Sequence, residues 1–409
     1  MKHDSDILIV GGGLNGPALA LACAQAGMRS TVIDSLSAET RTDAGFDGRS
    51  YALALASKRL LAAIGVWPMI GAHAQPILQI VTTDGRPGEG PLWPVAMHFD
   101  QGEMDEGPMG FIVEDRFLRR ALLEATESNP MIVHRPGETV VSQEIAAGGA
   151  AVTLASGDRL TGALVVGADG RRSGVGLRAG IRRTGWDYGQ TALVCAVEHE
   201  LPHDGVAHQF FMPHGPLAIL PLPGNRSSIV WAEEPETARY IAGLDDAGFI
   251  EALRPRFGDF LGTIALAGKR FAYPLNLTMA NRTVMERLVL IGDAAQGVHP
   301  IAGQGFNQGL ADVGTLTQVL ADARRRGEDI GSLIVLERHR QWRSFDRATL
   351  ALAMDGVNRL FSNDNPLLRF TRDLGMGLVD GMPGLRRRFV AEAAGLTGDL
   401  PNLLKGRPA

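Results

Sequence analysis

The segment that most constrains the fold of this chain is a glycine-rich stretch close to its N-terminus. A short apolar run, Ile7 to Val10, leads directly into Gly11-Gly12-Gly13-Leu14-Asn15-Gly16, and small, helix-favouring residues follow. A second apolar run ends at Asp34. Strand, loop, helix and acidic strand end stand at the spacing of a βαβ unit that binds the ADP part of a dinucleotide. The sequence therefore predicts a Rossmann-like domain with these cofactor-binding candidates: Gly11, Gly13, Leu14, Asn15, Gly16 and Asp34.

A second segment, residues 292–307, indicates where the redox ring of such a cofactor would lie. The apolar run Leu288 to Ile291 enters Gly292-Asp293, and a glycine-rich loop leads to a helix that we expect to begin near Phe306. An aspartate at a strand end can hold a ribityl or ribose hydroxyl, and N–H groups at a helix start can stabilise an anionic flavin edge. The candidates here are Gly292, Asp293, Pro300, Gly303, Gln304, Gly305, Phe306 and Asn307.

His299 lies in the same loop and is the candidate for a proton-transfer role. A structural hydrogen bond is the alternative for this histidine, and the sequence leaves both open. Pro300 would make the loop rigid beside the ring. No catalytic base is assigned from the sequence, and we expect His208 and His214 to be satisfied or exposed rather than catalytic.

A third motif lies in the middle of the chain. The apolar run Leu160 to Val166 leads to Asp169-Gly170, and Ser173 can cap the helix that follows. Because ligands bind at the carboxyl edge of open α/β sheets, we expect the three strand-end motifs to be neighbours in space. Asp169 and Gly170 therefore join the cofactor-binding candidates.

Composition excludes several other classes of protein. The 409 residues carry a net charge of −5, which gives no electrostatic footprint for nucleic acid. The two cysteines, Cys23 and Cys195, lack metal-ligand spacing, and we expect both to be buried, no metal to be bound and the compartment to be reducing. We see no signal peptide and no apolar run near the length of about 20 residues that a membrane span needs. A cytoplasmic protein with at most peripheral contact to the inner membrane is expected.

These motifs together resemble the single-component FAD-dependent aromatic hydroxylases of the p-hydroxybenzoate hydroxylase fold. Within that family, GDAAQGVHPIAGQGFNQGLADV (residues 292–313) is similar to the ubiquinone-biosynthesis branch, and so are residues 215–223 and 358–367. The resemblance implies that the glycine loop binds the FAD diphosphate, that Asp169-Gly170 faces flavin and pyridine nucleotide, and that Asp293 holds the ribityl chain. It also implies that Arg49 reaches the cofactor. Asp115 departs from the family, which often has an amide or basic residue there.

The resemblance implies a fold as well: α/β, with a Rossmann-like FAD-binding domain interleaved with a mixed β-sheet substrate domain, and C-terminal helices. The expected division assigns residues 1–70, 111–180 and 276–330 to the FAD-binding domain. Residues 71–110 form an excursion into the substrate domain, residues 181–275 form its sheet, and residues 331–409 form the helical region. The segment from Thr83 to Gly110 is either a cover for the active site or a surface excursion.

The implied activity is aromatic hydroxylation. The chain has one dinucleotide fingerprint and no redox cysteine pair, so NAD(P)H would dock transiently, reduce FAD and leave. Reduced FAD and O₂ would give a C4a-hydroperoxide that hydroxylates a phenol ring, while the protein orients the substrate and excludes water.

The implied substrate is a polyprenylated phenol of ubiquinone biosynthesis. The alternatives are a small soluble aromatic acid, which would need a buried arginine, and a non-catalytic flavin-binding subunit of a biosynthetic complex. Of the arginine clusters at residues 324–326 and 386–388, the second is the better candidate for contact with anionic lipid or partner proteins, although solvated helix faces explain both as well. A homodimer and a complex with other ubiquinone-biosynthesis proteins stay open.

Overall fold

The protein combines three β-sheets with helices. The computed structural model describes residues 3–41, 43, 45, 48–84, 96–103, 106–212, 214–297, 304–344 and 382–409. The expected α/β class is confirmed. Three expected features, His299, Pro300 and Gly303, lie outside the described residues, as does the stretch 358–367.

The first sheet has eight strands and contains the Rossmann-like unit. Its path is β18-β19-β11-β1-β2-β8, and the central pairs are parallel. Such strands are buried on both faces, which explains the apolar runs that mark them in the sequence. The strands are β1 (Ser5–Val10), β2 (Ser30–Asp34), β8 (Ile132–Pro136), β9 (Val140–Ala146), β10 (Gly149–Leu154), β11 (Arg159–Gly167), β18 (Val284–Met285) and β19 (Leu288–Leu290).

The second sheet has nine strands and is mostly antiparallel. Its path is β20-β17-β12-β15-β14-β13-β5-β6, and β16 pairs with β12. The excursion at 71–110 contributes β5 and β6 to this sheet, and β17 continues past residue 275 to Ala280. The strands are β5 (Gln79–Asp84), β6 (Ala96–Asp100), β12 (Arg183–His199), β13 (Val206–Phe211), β14 (Leu217–Leu222), β15 (Arg226–Glu233), β16 (Ile264–Leu266), β17 (Phe271–Ala280) and β20 (Gln296–Gly297).

A three-stranded antiparallel sheet contributes to two hydrophobic clusters, one shared with strands of the eight-stranded sheet and one shared with strands of the nine-stranded sheet. It consists of β3 (Ser50–Ala54), β4 (Gln75–Ile77) and β7 (Gly110–Glu114), in the order β3-β7-β4. The helices are α1 (Asn15–Gln25), α2 (Ala38–Arg41), α3 (Leu55–Ala63), α4 (Trp67–Ile70), α5 (Asp115–Glu127), α6 (Gly174–Arg178), α7 (Pro235–Ala242), α8 (Asp246–Phe257), α9 (Gln304–Arg325), α10 (residues 333–344) and α11 (Pro383–Ala393). Short 3₁₀ turns span Gly71–His73, Gln101–Glu103, Gly292–Ala294 and Asn402–Lys405.

The two faces of the nine-stranded sheet have different neighbours. One face, with Phe210, Ile219 and Trp231, packs against side chains of α7 and α8. The opposite face, which we call the inner face, includes Ala196, Ala207, Leu220 and Leu222, and it packs against the three-stranded sheet. This alternation separates apolar residues that are close in the sequence, because successive side chains of a strand point to opposite faces.

Two further expectations concern the core. Cys23 and Cys195 are buried free thiols, as predicted, and burial raises the pKa of each to about 12. Across the described ranges, we find no helix that combines the length and the apolar character needed to cross a bilayer.

Candidate active site

The glycine-rich loop connects β1 to α1, and a Cβ at Gly11, Gly12 or Gly16 would overlap with neighbouring atoms. Gly11 has φ of 118°, and a Cβ there would overlap with the backbone carbonyl of Ala168 in the middle motif. A Cβ at Gly16 would overlap with the Gly11 carbonyl oxygen. Gly13 is different, because a Cβ there would meet no atom within 4 Å. A Cβ at Gly12 would overlap with the Asp34 carboxylate, so the loop is tightly packed at Gly11, Gly12 and Gly16 and is open at Gly13.

The start of α1 is suited to an anion. Leu14 is the N-cap residue and no side chain caps the first turn, which also has no acidic residue. The exposed N–H groups and the helix dipole favour a negative group at this position. The open approach at Gly13 leads to the same N–H groups, so this loop fits a diphosphate.

Asn15 joins the glycine loop to the second motif. Its side chain lies so close to Gly292 and Gly309 that a Cβ at either glycine would overlap with the amide. Its Oδ1 atom is buried and has no hydrogen-bond partner within the described ranges of the chain. An unpaired buried acceptor is costly, so Oδ1 is a position at which a ligand hydroxyl or N–H would be stabilising.

Asp34 ends β2 and is 2% exposed. Arg41 donates to both carboxylate oxygens, at 2.6 and 2.9 Å, and the Leu36 N–H donates to Oδ1 at 3.1 Å. A carboxylate has about four acceptor positions, so about one is left for a ribose hydroxyl. Asp34 can therefore accept one ribose hydroxyl while it keeps its ion pair with Arg41.

Asp169 stands at the carboxyl end of β11, beside β1 in the sheet. Its carboxylate accepts the Ser173 hydroxyl at 2.5 Å and the Val175 N–H at 3.0 Å. The predicted cap is confirmed, since Ser173 Oγ accepts the Gly176 N–H at 3.0 Å. Gly170 has φ of 79°, and a Cβ there would meet no atom within 4 Å. Because the Asp169 carboxylate is occupied, it is the backbone of Asp169 and Gly170 that can face a ligand.

Asp293 is the most accessible carboxylate of the three strand-end motifs. Its side chain is 40% exposed and pairs with the Arg171 Nε at 3.3 Å. The Arg183 guanidinium donates to the backbone carbonyls of Asp293 and Ala294. Burial lowers the pKa of Arg183, and the negative charge of Asp293 opposes that shift. Arg183 therefore holds the backbone of the 3₁₀ turn that carries Asp293, and the Asp293 carboxylate remains partly exposed.

Arg49 belongs to a polar group beside β3. It lies 3.2 Å from Asp115 and 5.5 Å above the ring of Phe271 on β17. Asp115 also accepts from Arg119 at 2.6 Å. The departure at Asp115 therefore gives Arg49 an anionic partner that fixes its direction. Tyr51 packs on Phe306 with ring centroids 5.4 Å apart, and burial followed by the charge of Asp115 raises the pKa of its hydroxyl, which stays protonated.

The start of α9 is fixed by Asn307. Its Oδ1 accepts the Ala54 N–H at 3.0 Å, and its Nδ2 donates to the Ala52 carbonyl at 2.8 Å. Both polar atoms of this side chain bond to β3, so Asn307 would contact a cofactor through its backbone only. Gln304 and Gly305 form the first residues of α9, two residues earlier than the start expected at Phe306.

Sequence reasoning missed several residues that shape this region. Asp312 accepts the Gly292 N–H at 2.9 Å and pairs with Arg343 of α10 at 2.8 Å, and both side chains are 3% exposed. Asp312 is one of many polar residues of α9, so the sequence did not single it out. Tyr51, Arg171 and Arg183 could not be recognised as site residues from the sequence, because arginines and aromatic residues occur throughout the chain.

The described residues fit FAD in their chemistry. Four kinds of feature lie at one edge of the sheet: the uncapped start of α1, the open Gly13, the buried amide oxygen of Asn15 and the aspartates at the three strand ends. Residues 4–335 also match the model of a protein family described as an FAD binding domain. A ubiquinone hydroxylase of Rhodospirillum rubrum, UbiL, is 43% identical over 99% of this chain and 93% of its own length.

The chain belongs to the FAD-dependent monooxygenase family that contains these ubiquinone hydroxylases. The 3-demethoxyubiquinol 3-hydroxylase of Escherichia coli is 34% identical over 97% of this chain and all of its own length. Among solved structures, p-nitrophenol 4-monooxygenase PnpA of Pseudomonas putida matches with a TM-score of 0.80 at 19% identity, over 97% of this chain and 99% of that one, which shows the shared fold. The resemblance stated from the sequence and the enzyme class, an FAD-dependent aromatic-ring monooxygenase, are confirmed.

Proposed function

We propose that this protein uses NAD(P)H and O₂ to hydroxylate the aromatic ring of a polyprenylated phenol in ubiquinone biosynthesis. The names of the similar proteins from Rhodospirillum rubrum and Escherichia coli support the pathway. The C4a-hydroperoxide route that the family resemblance implies is part of this proposal. FAD supplies the activation of oxygen when it is bound and reduced, and the protein supplies the binding, orientation and exclusion of water.

The observation that carries the choice of substrate is the chemistry of the inner face of the nine-stranded sheet. From Gln190 onward on β12, and away from the strand ends of β13 to β15, the inner-face residues are small or apolar apart from one serine and two glutamines: Gln190, Ala192, Val194, Ala196, Ala207, Gln209, Ala218, Leu220, Ser228 and Val230. No basic side chain stands among these strand positions to bind a carboxylate. Arg226, at a strand end, is held by Glu114 at 2.8 Å, and Arg49 is paired with Asp115.

An apolar wall is what a phenol with a prenyl tail needs, whereas a small aromatic acid would leave its carboxylate unpaired in a dry site. Burying an unpaired charge is strongly unfavourable. Gln209 supports the same proposal, because its amide nitrogen Nε2 is buried on this face and has no hydrogen-bond partner among the residues that the structure describes. That N–H would donate to a ring oxygen of the phenol.

We assign the cofactor to the motifs in the same proposal. The loop from Gly11 to Gly16 would hold the diphosphate, Asp34 the adenosine ribose and Asp293 the ribityl chain. The Asp169-Gly170 backbone and the start of α9 would border the ring, and Arg49 would approach it. The division of residues into FAD-binding and substrate segments, as expected from the sequence, belongs to this proposal too.

The test is mass spectrometry of quinone lipids from a host strain that lacks the gene. Loss of ubiquinone with accumulation of a prenylphenol lacking one oxygen is the expected result, and it identifies the ring position. Normal ubiquinone in a strain without a second hydroxylase would overturn the proposal in favour of a soluble aromatic acid. Bleaching of the bound flavin by NADPH under anaerobic conditions would exclude a non-catalytic subunit.

A further inference from the structure

An open cavity of about 240 Å³ lies at the edge of the eight-stranded sheet, outside the site described above. It is formed where the chain leaves α6 and where β17 turns into β18. Its lining combines two arginines and an amide with apolar side chains: Arg182, Arg282, Asn281, Ala179, Ile181 and Met285. No acidic side chain lines the cavity within the described part of the chain.

The two arginines are held close together by the backbone. The Asn281 N–H donates to the Arg182 carbonyl oxygen at 2.9 Å, which ties the two loops to each other. Arg182 and Arg282 are both exposed. Neither guanidinium has a hydrogen-bond or ion-pair partner among the residues that the structure describes. By contrast, Arg287 nearby on the sheet is paired with Asp329 at 2.5 Å.

Two unpaired guanidinium groups facing one cavity are a site for an anion with several oxygens. The planar fork of arginine matches phosphate oxygens in a bidentate way. The chain as a whole carries a net charge of −5, so the positive charge at this cavity is opposite in sign to the net charge of the protein. A phosphate-bearing ligand is therefore the chemistry that the cavity fits.

Leu177 indicates the source of that phosphate. Its side chain is 78% exposed, and it lies one turn before Gly180, whose N–H donates to the Leu177 carbonyl at 3.0 Å. The neighbouring Arg178 is fastened to Gln143 and to the Val140 carbonyl, so the end of α6 is held in place with the leucine outward. A single exposed leucine is common. Leu177, however, lies two residues before Ala179, the first residue of the cavity lining, and an exposed leucine this near in the chain to two unpaired arginines matches an interfacial membrane anchor.

We propose that Leu177, Arg182 and Arg282 form a docking surface for an anionic phospholipid bilayer. The arginine pair binds headgroup phosphates, and Leu177 enters the boundary of the acyl chains. This inference rests on the proposed function, since a prenylated phenol must be taken from a membrane. This surface lies at a different place from the C-terminal arginine cluster that the sequence offers for the same contact, in which Arg386 is paired with Glu103 at 3.1 Å.

The experiment is co-sedimentation of the purified, FAD-loaded full chain with vesicles. One set contains equimolar phosphatidylcholine and phosphatidylglycerol, and the other contains phosphatidylcholine alone. The variants are Arg182→Gln with Arg282→Gln, and Leu177→Ser. The controls are Arg239→Gln and Ile334→Ser, which replace an exposed arginine and an exposed isoleucine elsewhere on the surface. Flavin content and thermal unfolding verify that each variant is folded.

We expect binding to the anionic vesicles only, weakened by salt. Each arginine should contribute about five-fold to the partition coefficient, and Leu177 about ten-fold. The control variants should bind as the unchanged protein does. Equal binding by the Arg182/Arg282 double variant would overturn the proposal. Loss of inorganic phosphate binding in that variant, with unchanged vesicle binding, would assign the cavity to a soluble anion and also overturn it.

Failure of the proposed function would look different. Vesicle binding needs no turnover, so it can be present in a protein that hydroxylates no prenylphenol. Conversely, hydroxylation of a short-tailed phenol in detergent by all variants at equal rates, together with no vesicle binding by any protein, would keep the function and remove the docking surface.

Discussion

The Asp312 carboxylate accepts the backbone N–H of Gly292 at 2.9 Å, and this bond connects helix α9 to the turn that carries Asp293. The other carboxylate oxygen accepts from Arg343 of α10 at 2.8 Å, and Arg343 also donates to Gln308 at 2.6 Å. Three separate elements therefore meet at one buried carboxylate, and Gly292, which has φ of 56°, is held in a conformation that few other residues adopt.

Replacing Asp312 tests this connection. Asp312→Ala removes the carboxylate that forms an ion pair with the buried Arg343, which should lower the free energy of unfolding by about 3–5 kcal/mol. Asp312→Asn keeps an acceptor for the Gly292 N–H and should lose less stability. Denaturant unfolding measures both, and flavin content per chain reports on the turn. Equal stability of the alanine variant and the unchanged protein would contradict the role given to Asp312.

Two glycines of the N-terminal loop should respond to alanine in opposite ways. Gly16→Ala forces a methyl group against the Gly11 carbonyl and should destabilise the apoprotein by about 1–3 kcal/mol or more. Gly13→Ala meets open space, so apoprotein stability should stay within about 1 kcal/mol while FAD affinity falls. Thermal unfolding of both apoproteins and FAD titration separate the effects. Full FAD affinity in Gly13→Ala would show that the diphosphate lies elsewhere.

Asp293→Ala should weaken FAD binding, because the most accessible strand-end carboxylate would be lost. A hydrogen bond to a charged group contributes about 1.5–3 kcal/mol, so affinity should fall about ten-fold or more. Asp158→Ala, which removes an exposed carboxylate paired with Arg135, is the matched control. Stoichiometric FAD in purified Asp293→Ala would refute the assignment of Asp293 to the ribityl chain.

Much of this architecture was predictable because its signals are local. Apolar runs that end in glycine or aspartate indicate buried parallel strands and their carboxyl ends, and β1, β2, β11 and β19 follow those runs closely. The cap by Ser173 was predictable for the same reason, since its partner is three residues away. Local patterns give the fold and the sheet edge at which the strand-end motifs meet.

The contacts between distant segments were not predictable. Asn307 and Ala54 are 253 residues apart in sequence, and no periodicity links them. The sequence predicted Asn307 as a cofactor contact, but its side-chain amide bonds to the backbone of β3 instead. The apolar residues of the sheet illustrate a second limit, because only strand pairing decides that Leu220 is on the inner face and that Phe210 is not.

Gln209→Leu should lower kcat/KM for a prenylphenol by about five- to ten-fold, because a donor to the ring oxygen is lost. The matched control is Thr83→Val. The Thr83 hydroxyl is also buried, with no hydrogen-bond partner in the described part of the chain. Thr83 is opposite Phe210 in the β5–β13 pairing and therefore lies on the other face of the sheet from Gln209. Steady-state kinetics should show a change in the first variant alone. Equal losses in both variants would point to a general packing effect.

His208 should make the stability of the protein depend on pH. Burial against Phe260, together with the nearby His98, lowers its pKa from 6.5 to about 4, so the folded state stays unprotonated while the unfolded state gains a proton. Stability from this group is therefore complete above pH 6.5 and is lost as the pH falls toward 4, by up to about 3 kcal/mol. His208→Gln should flatten unfolding free energy across that window, whereas His214→Gln, at an exposed histidine, should not. Identical pH profiles for His208→Gln and the unchanged protein would show that His208 is not buried as described.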